Sequence, residues 1–297
     1  MLTECRFGPQ RLKSHASKNW WGHFLSPYLP APQRYRFDTQ RPAAIVAEGG
    51  LRLAIPAWAF ATPDGKLARG QAEVEVREIY SKTEMILSGM PTTSEDRLLE
   101  ADAYFLVRAW QGEQQLELLQ PLELAVALSP GEKRASETRL FTAGASTIRV
   151  LQAQAGCDWK EAPEGILSGL DGPLARPYGR FRLSRLGWSA CGRFAQDAGR
   201  KNMVTAKLCS PAEPLGWPYV FLAFHHRLAI ARMYPAPHGF TAINIAGGLS
   251  ATAVAIGQCQ GQLYFGQSQL DRMTDKLTQI YLEPIQEGSL LKALQQL

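Results

Sequence analysis

The sequence predicts an all-β protein, with two β-sandwich-like domains followed by a short C-terminal helix. Three observations carry this. Apolar and polar residues alternate in short runs such as Leu51 to Ile55 and Leu122 to Leu128, the period of a strand with one wet face. Glycine (26) and proline (19) punctuate the 297 residues at short intervals, which suits strands joined by turns. A hydrophobic content of 45% supplies the apolar residues of ordinary packed cores.

Residues 1–40 carry aromatics and prolines without a clean period and read as an N-terminal arm. Trp20, Trp21, Phe24 and Tyr28 in that arm are partner-binding candidates, because large aromatic side chains in an irregular segment serve as anchors; packing of the arm onto the following domain is the structural alternative. The first domain, 41–130, opens with the strand Leu51 to Ile55, stopped by Pro56, and turns at Thr62-Pro63-Asp64-Gly65-Lys66. Strands follow at Gln71 to Tyr80, at Tyr104 to Trp110 and at Leu116 to Leu119, the last two joined through Gln111-Gly112-Glu113. Leu122 to Leu128 closes the domain ahead of Ser129-Pro130-Gly131.

A packed connector, 131–177, leads to the second domain, 178–285. Its strands are expected at Tyr178 to Leu186, Met203 to Leu208, Pro218 to Ala223, His226 to Arg232, Phe240 to Ile245, Ala251 to Gln258, Gly261 to Phe265 and Leu277 to Leu282. This spacing is that of a sandwich or barrel. The segment 286–297 reads as an amphipathic helix with Ser289 as N-cap. Its Leu290, Leu291 and Leu294 join the partner-binding candidates, since arm and helix have few sequence neighbours against which to bury apolar residues.

The formal charge of +5, from 32 basic and 27 acidic residues, is a mild and dispersed excess. Arg180-Phe181-Arg182-Leu183 reads as a strand with a wet basic face, with an anionic partner as the alternative, and no nucleic-acid partner is expected. Five widely spaced cysteines (Cys5, Cys157, Cys191, Cys209, Cys259) form no zinc pair and read as free thiols, mostly small core residues. The sequence as written shows no signal peptide and no bilayer-spanning window. The expectation is a soluble protein, cytoplasmic or assembled inside the cell, with the cell surface as the alternative if a leader was removed.

Chemistry-bearing motifs are sparse. His225-His226 is the best metal candidate, but neighbours on a strand point to opposite faces. Cys191 beside Arg193 lacks a placed base, and no Gly-x-Ser-x-Gly elbow is present. Glu95, Asp96, Glu100 and Asp102 form an acidic cluster without the alternating oxygen ligands of a calcium loop and read as a solvated turn. Catalytic residues, metals and cofactors are therefore not expected.

The run Gly49 to Phe60 resembles the entry strand of the β-domain shared by ankyrins, netrin receptors and zonula-occludens proteins. A longer order of landmarks is similar to a group of poorly characterised bacterial cell-surface β-sandwich proteins. These landmarks are Ala68 to Val74, Met85 to Thr92, Leu98-Leu99-Glu100, Leu140-Phe141, Asp158-Trp159 and Leu186 to Phe194. The resemblance implies modules that scaffold or bind protein, and no catalytic residue carries over from it. Where the similar proteins have Asn-Cys-Asp-Arg-Phe, this chain has Ala190-Cys191-Gly192-Arg193-Phe194, so no role of that aspartate transfers. The His-Phe-Ser site at which some netrin-receptor-like relatives cleave themselves is absent, His225-His226 being followed by Arg227. The functional expectation is a non-enzymatic structural adaptor docking onto other protein subunits in an assembly. The alternative is a carbohydrate- or cell-surface-binding module using Trp58, Trp110, Trp188 or Trp217.

Overall fold

Alternating runs become paired strands almost throughout. The computed structural model describes residues 26–94, 97–128, 137–143, 159–162, 167–171, 178–196, 199–211, 215–273 and 277–297. A single 3-10 turn at Ser26–Tyr28 leads into β1 (Gln33–Asp38), β2 (Ala43–Val46), β3 (Arg52–Ile55), β4 (Phe60–Ala61) and β5 (Gln71–Ile79). Helix α1 (Lys82–Ser88) precedes β6 (Thr93–Ser94), β7 (Arg97–Gln111), β8 (Gln114–Gln115), β9 (Glu117–Leu118) and β10 (Leu122–Ala127). Next come β11 (Arg139–Ala143), β12 (Trp159–Glu161), β13 (Leu167–Asp171), β14 (Tyr178–Leu183) and β15 (Gly187–Phe194). The remainder is β16 (Lys201–Cys209), β17 (Gly216–Phe224), β18 (Ile230–Ala236), β19 (Gly239–Ala246), β20 (Ala251–Cys259), β21 (Gln262–Leu270), β22 (Leu277–Tyr281), β23 (Glu283–Ile285) and helix α2 (Glu287–Gln295).

The first unit is a sandwich. One sheet runs β1-β5-β7-β15-β11-β12 and the other β13-β14-β10-β3-β2. Their inner faces interdigitate Val74, Val76, Phe105 and Val107 with Leu53, Leu124, Val126 and Phe181 in one apolar core. The second unit is a near-closed barrel in the order β22-β16-β19-β18-β17-β20-β21-β23. Its lining includes Val204, Leu222, Phe224, Met233 and Ile280. All its ladders are antiparallel except β16 with β22, and Ser268 on β21 lies 3.0 Å from Thr278 on β22 where the two ends of the sheet meet.

Three sequence expectations differ from this arrangement. The boundary drawn at 178 is not a change of unit: β14 pairs with β10 and β15 with β7, so residues 178–194 complete the sandwich. β1 likewise joins the sandwich from within the stretch read as an arm, and β11, β12 and β13 join it from the connector. Non-local pairing decides sheet membership, and alternation alone does not encode it. Helix α2 begins at Glu287 with Gln286 as N-cap, not at Ser289. Among the described residues no helix is long and apolar enough to cross a membrane.

A third apolar core joins the units. The outer face of the first sandwich sheet (Ile79, Leu99, Tyr104, Ala190) packs against the outer face of the near barrel wall (Tyr219, Phe221, Val254, Ile256). Both helices enter this core, α1 through Met85 and Ile86 and α2 through Leu290 and Leu294. Helix α1 is short, but its ends are fully specified. Ser81 and Glu84 form a reciprocal capping box, and Gly89 closes the helix in the left-handed region at φ 68°.

The Gly49-Gly50-Leu51 turn is organised by a buried carboxylate. Glu78 accepts from Gly49 N at 2.7 Å, Leu51 N at 2.9 Å and the Tyr80 hydroxyl at 2.7 Å. Burial first, and the bond to Glu78 second, raise the Tyr80 pKa far above the ordinary tyrosine range. A hydroxyl pKa raised by folding contributes stability that is complete below the unfolded value, near 10, and is lost as pH rises beyond it toward the folded value. Tyr80→Phe is therefore expected to cost about 1.5–3 kcal/mol at neutral pH. Its deficit relative to the wild type should shrink above pH 10, as read from urea midpoints across the alkaline range. A constant deficit would contradict the linkage.

Candidate functional site

The joint between sandwich and barrel carries a connected set of polar contacts. Thr92, just before β6, shares three hydrogen bonds with Ile230: its backbone N and its Oγ1 both donate to the Ile230 carbonyl at 2.9 Å, and Ile230 N returns a bond to Oγ1 at 3.0 Å. Lys82 Nζ at the start of α1 donates to the Phe224 carbonyl at 3.1 Å, and its partial burial lowers its pKa. Ala101 N donates to Leu228 O at 3.2 Å.

Glu100 lies at the centre. Its carboxylate is 7% exposed, with Oε2 3.2 Å from Arg193 Nη2 of β15 and Oε1 bonded to Arg227 Nη1 from the β17–β18 turn. Arg193 also reaches Glu137 at 3.5 Å. Two residues along, Asp102 accepts from Thr138 Oγ1 at 3.2 Å. Reading Glu100 and Asp102 as part of a solvated acidic turn is thus corrected: both stand on β7, buried, because cationic and hydroxyl partners from segments distant in sequence converge on them. Glu95 and Asp96 lie outside the described residues. A paired buried carboxylate of this kind is a clamp across the joint. Gly192, at the bulge where β15 crosses β7, is held by a close approach: a Cβ there would lie 2.2 Å from the Glu100 carbonyl oxygen.

Beyond the joint, the far wall of the barrel presents apolar side chains to solvent. Met203 on β16, Ile243 on β19 and Leu277 and Tyr281 on β22 are each more than half exposed. Strand alternation turns all four outward, while Val204, Ala242 and Ile280 beside them fill the barrel interior. Thr205 lies between Thr241 and Leu277 in register, which fixes the three strands as one continuous face. This face holds four of the seven large hydrophobic residues exposed among those described, set among the outward Thr205, Thr241, Lys207 and Gln279.

Comparison with protein-family models, with curated proteins and with solved structures finds no match. The site residues therefore stand on geometry alone.

Of the residues expected to bind a partner, Trp20, Trp21 and Phe24 lie outside the described residues. Tyr28 is half-buried and packs, with Leu29, against the core of the joint. Leu290 and Leu294 are buried in that core and Leu291 packs on its edge. The expectation that the terminal helix lacks neighbours is corrected, because α1 supplies them and Thr83 Oγ1 donates to the Leu294 carbonyl at 2.8 Å. Trp58, Trp110 and Trp188 are half-buried.

His225 and His226 sit in the turn between β17 and β18, not on a strand. His226 has φ 56°, and His225 Nε2 lies 2.9 Å from Thr252 Oγ1. Among the described residues no three His, Cys, Asp or Glu side chains gather as a metal site. Cys5 and Cys157 are not among the described residues; Cys191 and Cys209 are buried and Cys259 is half-buried. Burial, with a contribution from Asp102, pushes the Cys191 thiol well up. A native-state alkylation time course at pH 8 is expected to modify Cys259 and spare Cys191 until unfolding. Equal rates would show that the sandwich core opens readily.

Proposed function

We propose that this chain is a non-enzymatic structural adaptor that docks onto another protein subunit of an assembly. The observation that carries the reading is the gathering of four exposed apolar side chains, Met203, Ile243, Leu277 and Tyr281, on the barrel wall turned away from the joint. Burying such a face against a partner gains the free energy of removing apolar surface from water, about 25 cal/mol per Å². The clamped joint favours the same role, since it holds that face in a fixed relation to the sandwich. The likeness of Gly49 to Phe60 to scaffold-type β-domains points the same way.

The test is a photo-crosslinking side chain at Ile243 in cells, with native mass measured in parallel. A covalent adduct with one distinct subunit, lost in Ile243→Arg/Leu277→Arg while the melting temperature is kept, is the expected result. Surface changes of this kind leave stability within about 0.5 kcal/mol. A monomer of unchanged mass in the native extract with no adduct, or adducts only between copies of this chain, would overturn the proposal.

A further inference from the structure

The four layers of the molecule stack in order: second sandwich sheet, first sandwich sheet, near barrel wall, far barrel wall, with an apolar core between each neighbouring pair. The far barrel wall ends the stack on one side. The outer face of the second sandwich sheet ends it on the other, and its chemistry is different.

Register places outward side chains of β14, β10, β3 and β2 side by side in rows, two of which hold the arginines. Arg182 of β14 stands beside Glu123 of β10, Ala54 of β3 and Ala44 of β2. Arg180 stands beside Ala125, Arg52 and Val46 in the next row. Arg52, Arg180 and Arg182 are exposed, and the Arg52 guanidinium lies over the Tyr178 ring at 4.4 Å. The floor between the arginines is alanine. At one end it dips into an open hollow of about 380 Å³ between Pro42 and Pro56, floored by Ala44 and Ala54 and rimmed by Glu123. The adjoining edge is open as well. Ala47 N bonds Leu51 O at the closed end of the β2–β3 hairpin, so by antiparallel alternation Ala43 and Ile45 bond β3, while Ala44 turns its backbone outward.

We infer that this arginine-rimmed alanine face binds an acidic, extended segment of a partner protein, with an apolar side chain of that segment seated in the Pro42–Pro56 hollow. The inference rests on the adaptor reading but stands on a surface separate from the barrel face. Among the described side chains of the face, Arg52, Arg180 and Arg182 stand against Glu123, a positive sign that attracts carboxylates and repels a second copy of the same face. An extended nucleic-acid strand fits less well. Glu123 interrupts the line of positive charge, the Tyr178 ring is covered by Arg52, and a phosphate chain leaves the apolar hollow empty. A polypeptide alternating carboxylates with an aliphatic side chain, laid across the face, satisfies arginines and hollow together.

The experiment is fluorescence anisotropy on the full chain with a labelled peptide of three Glu-Glu-Leu repeats. Its comparison probes are the Lys-Lys-Leu counterpart, an all-glutamate peptide of equal length and a short oligothymidylate. The Glu-Glu-Leu peptide is expected to bind with an affinity that falls as salt rises. It should bind at least about tenfold tighter than each comparison probe, and should lose about tenfold or more in Arg52→Glu/Arg182→Glu and separately in Ala54→Phe, which fills the hollow. Melting temperatures confirm that each variant is folded, and Ala54→Phe, at an exposed position, remains informative if the charge reversal is not. Absence of binding, affinity unchanged in both variants, or oligothymidylate or all-glutamate bound as tightly would each overturn the inference. Because this assay uses purified protein and leaves Ile243 and Leu277 untouched, its failure is distinct from failure of the crosslinking test.

Discussion

Replacing Glu100 with alanine is expected to lower the free energy of unfolding by about 3–5 kcal/mol, the usual consequence of removing one partner from a buried, hydrogen-bonded ion pair. The Glu100 carboxylate is shared by Arg193 of the sandwich and Arg227 of the barrel, so its loss takes the common anion from between two guanidiniums. Each arginine side chain keeps 27% exposure and Arg193 retains Glu137 at 3.5 Å, which places the effect toward the lower end of that range. Glu100→Gln keeps the shape and one acceptor but turns an amide toward the other cation, and should recover only part of the loss. Replacing all three residues with apolar side chains of similar volume should restore most of it, because the cost of desolvating the charges disappears with them. Urea unfolding checks all three: midpoints should fall for the single variants with little change in slope. A shift below about 1 kcal/mol in Glu100→Ala would mean that solvent screens the pair and that the apolar core alone holds the joint.

The clamp also shows where the sequence stops being legible. A strand with one wet face, such as Leu51 to Ile55, was readable because burial imposes a period of two on the residues themselves. The partners of Glu100 were not, since Arg193 is 93 and Arg227 127 residues away along the chain. Two acids at i and i+2 look alike in a solvated loop and on a buried strand until those cations are placed. One signal was present: Glu100 and Asp102 interrupt the otherwise apolar run from Leu98 to Val107, where a charge has to be paired. Helix α1 was missed for another reason. Seven residues are too few to display a helical period, although Ser81, Glu84 and Gly89 spell out its two ends. The basic face lay between these cases. Arg180 and Arg182 show their wet side in sequence, whereas Arg52 joins them only through the pairing of β10 with both β3 and β14.

Leu294→Ala is expected to destabilise the protein by about 2–5 kcal/mol, and Leu290→Ala by a similar amount. Both side chains are almost fully buried where α2 meets α1 and the two β-units, so truncation leaves a cavity that packed sheets on either side have little freedom to close. The two residues lie one turn apart on the same face of α2, and their losses should not be additive. Deleting residues 287–297 would remove both, together with the carbonyl that accepts from Thr83, and should expose the apolar surface of the joint. That outcome separates two roles for the helix. If it is a structural plug, the purified truncated chain melts lower and binds a hydrophobic dye even when no partner is present. If its apolar residues serve a partner instead, truncation leaves the isolated chain as stable as the full one and only the assembly is lost. The burial of Leu290 and Leu294 favours the plug, and a melting temperature unchanged by the deletion would refute it.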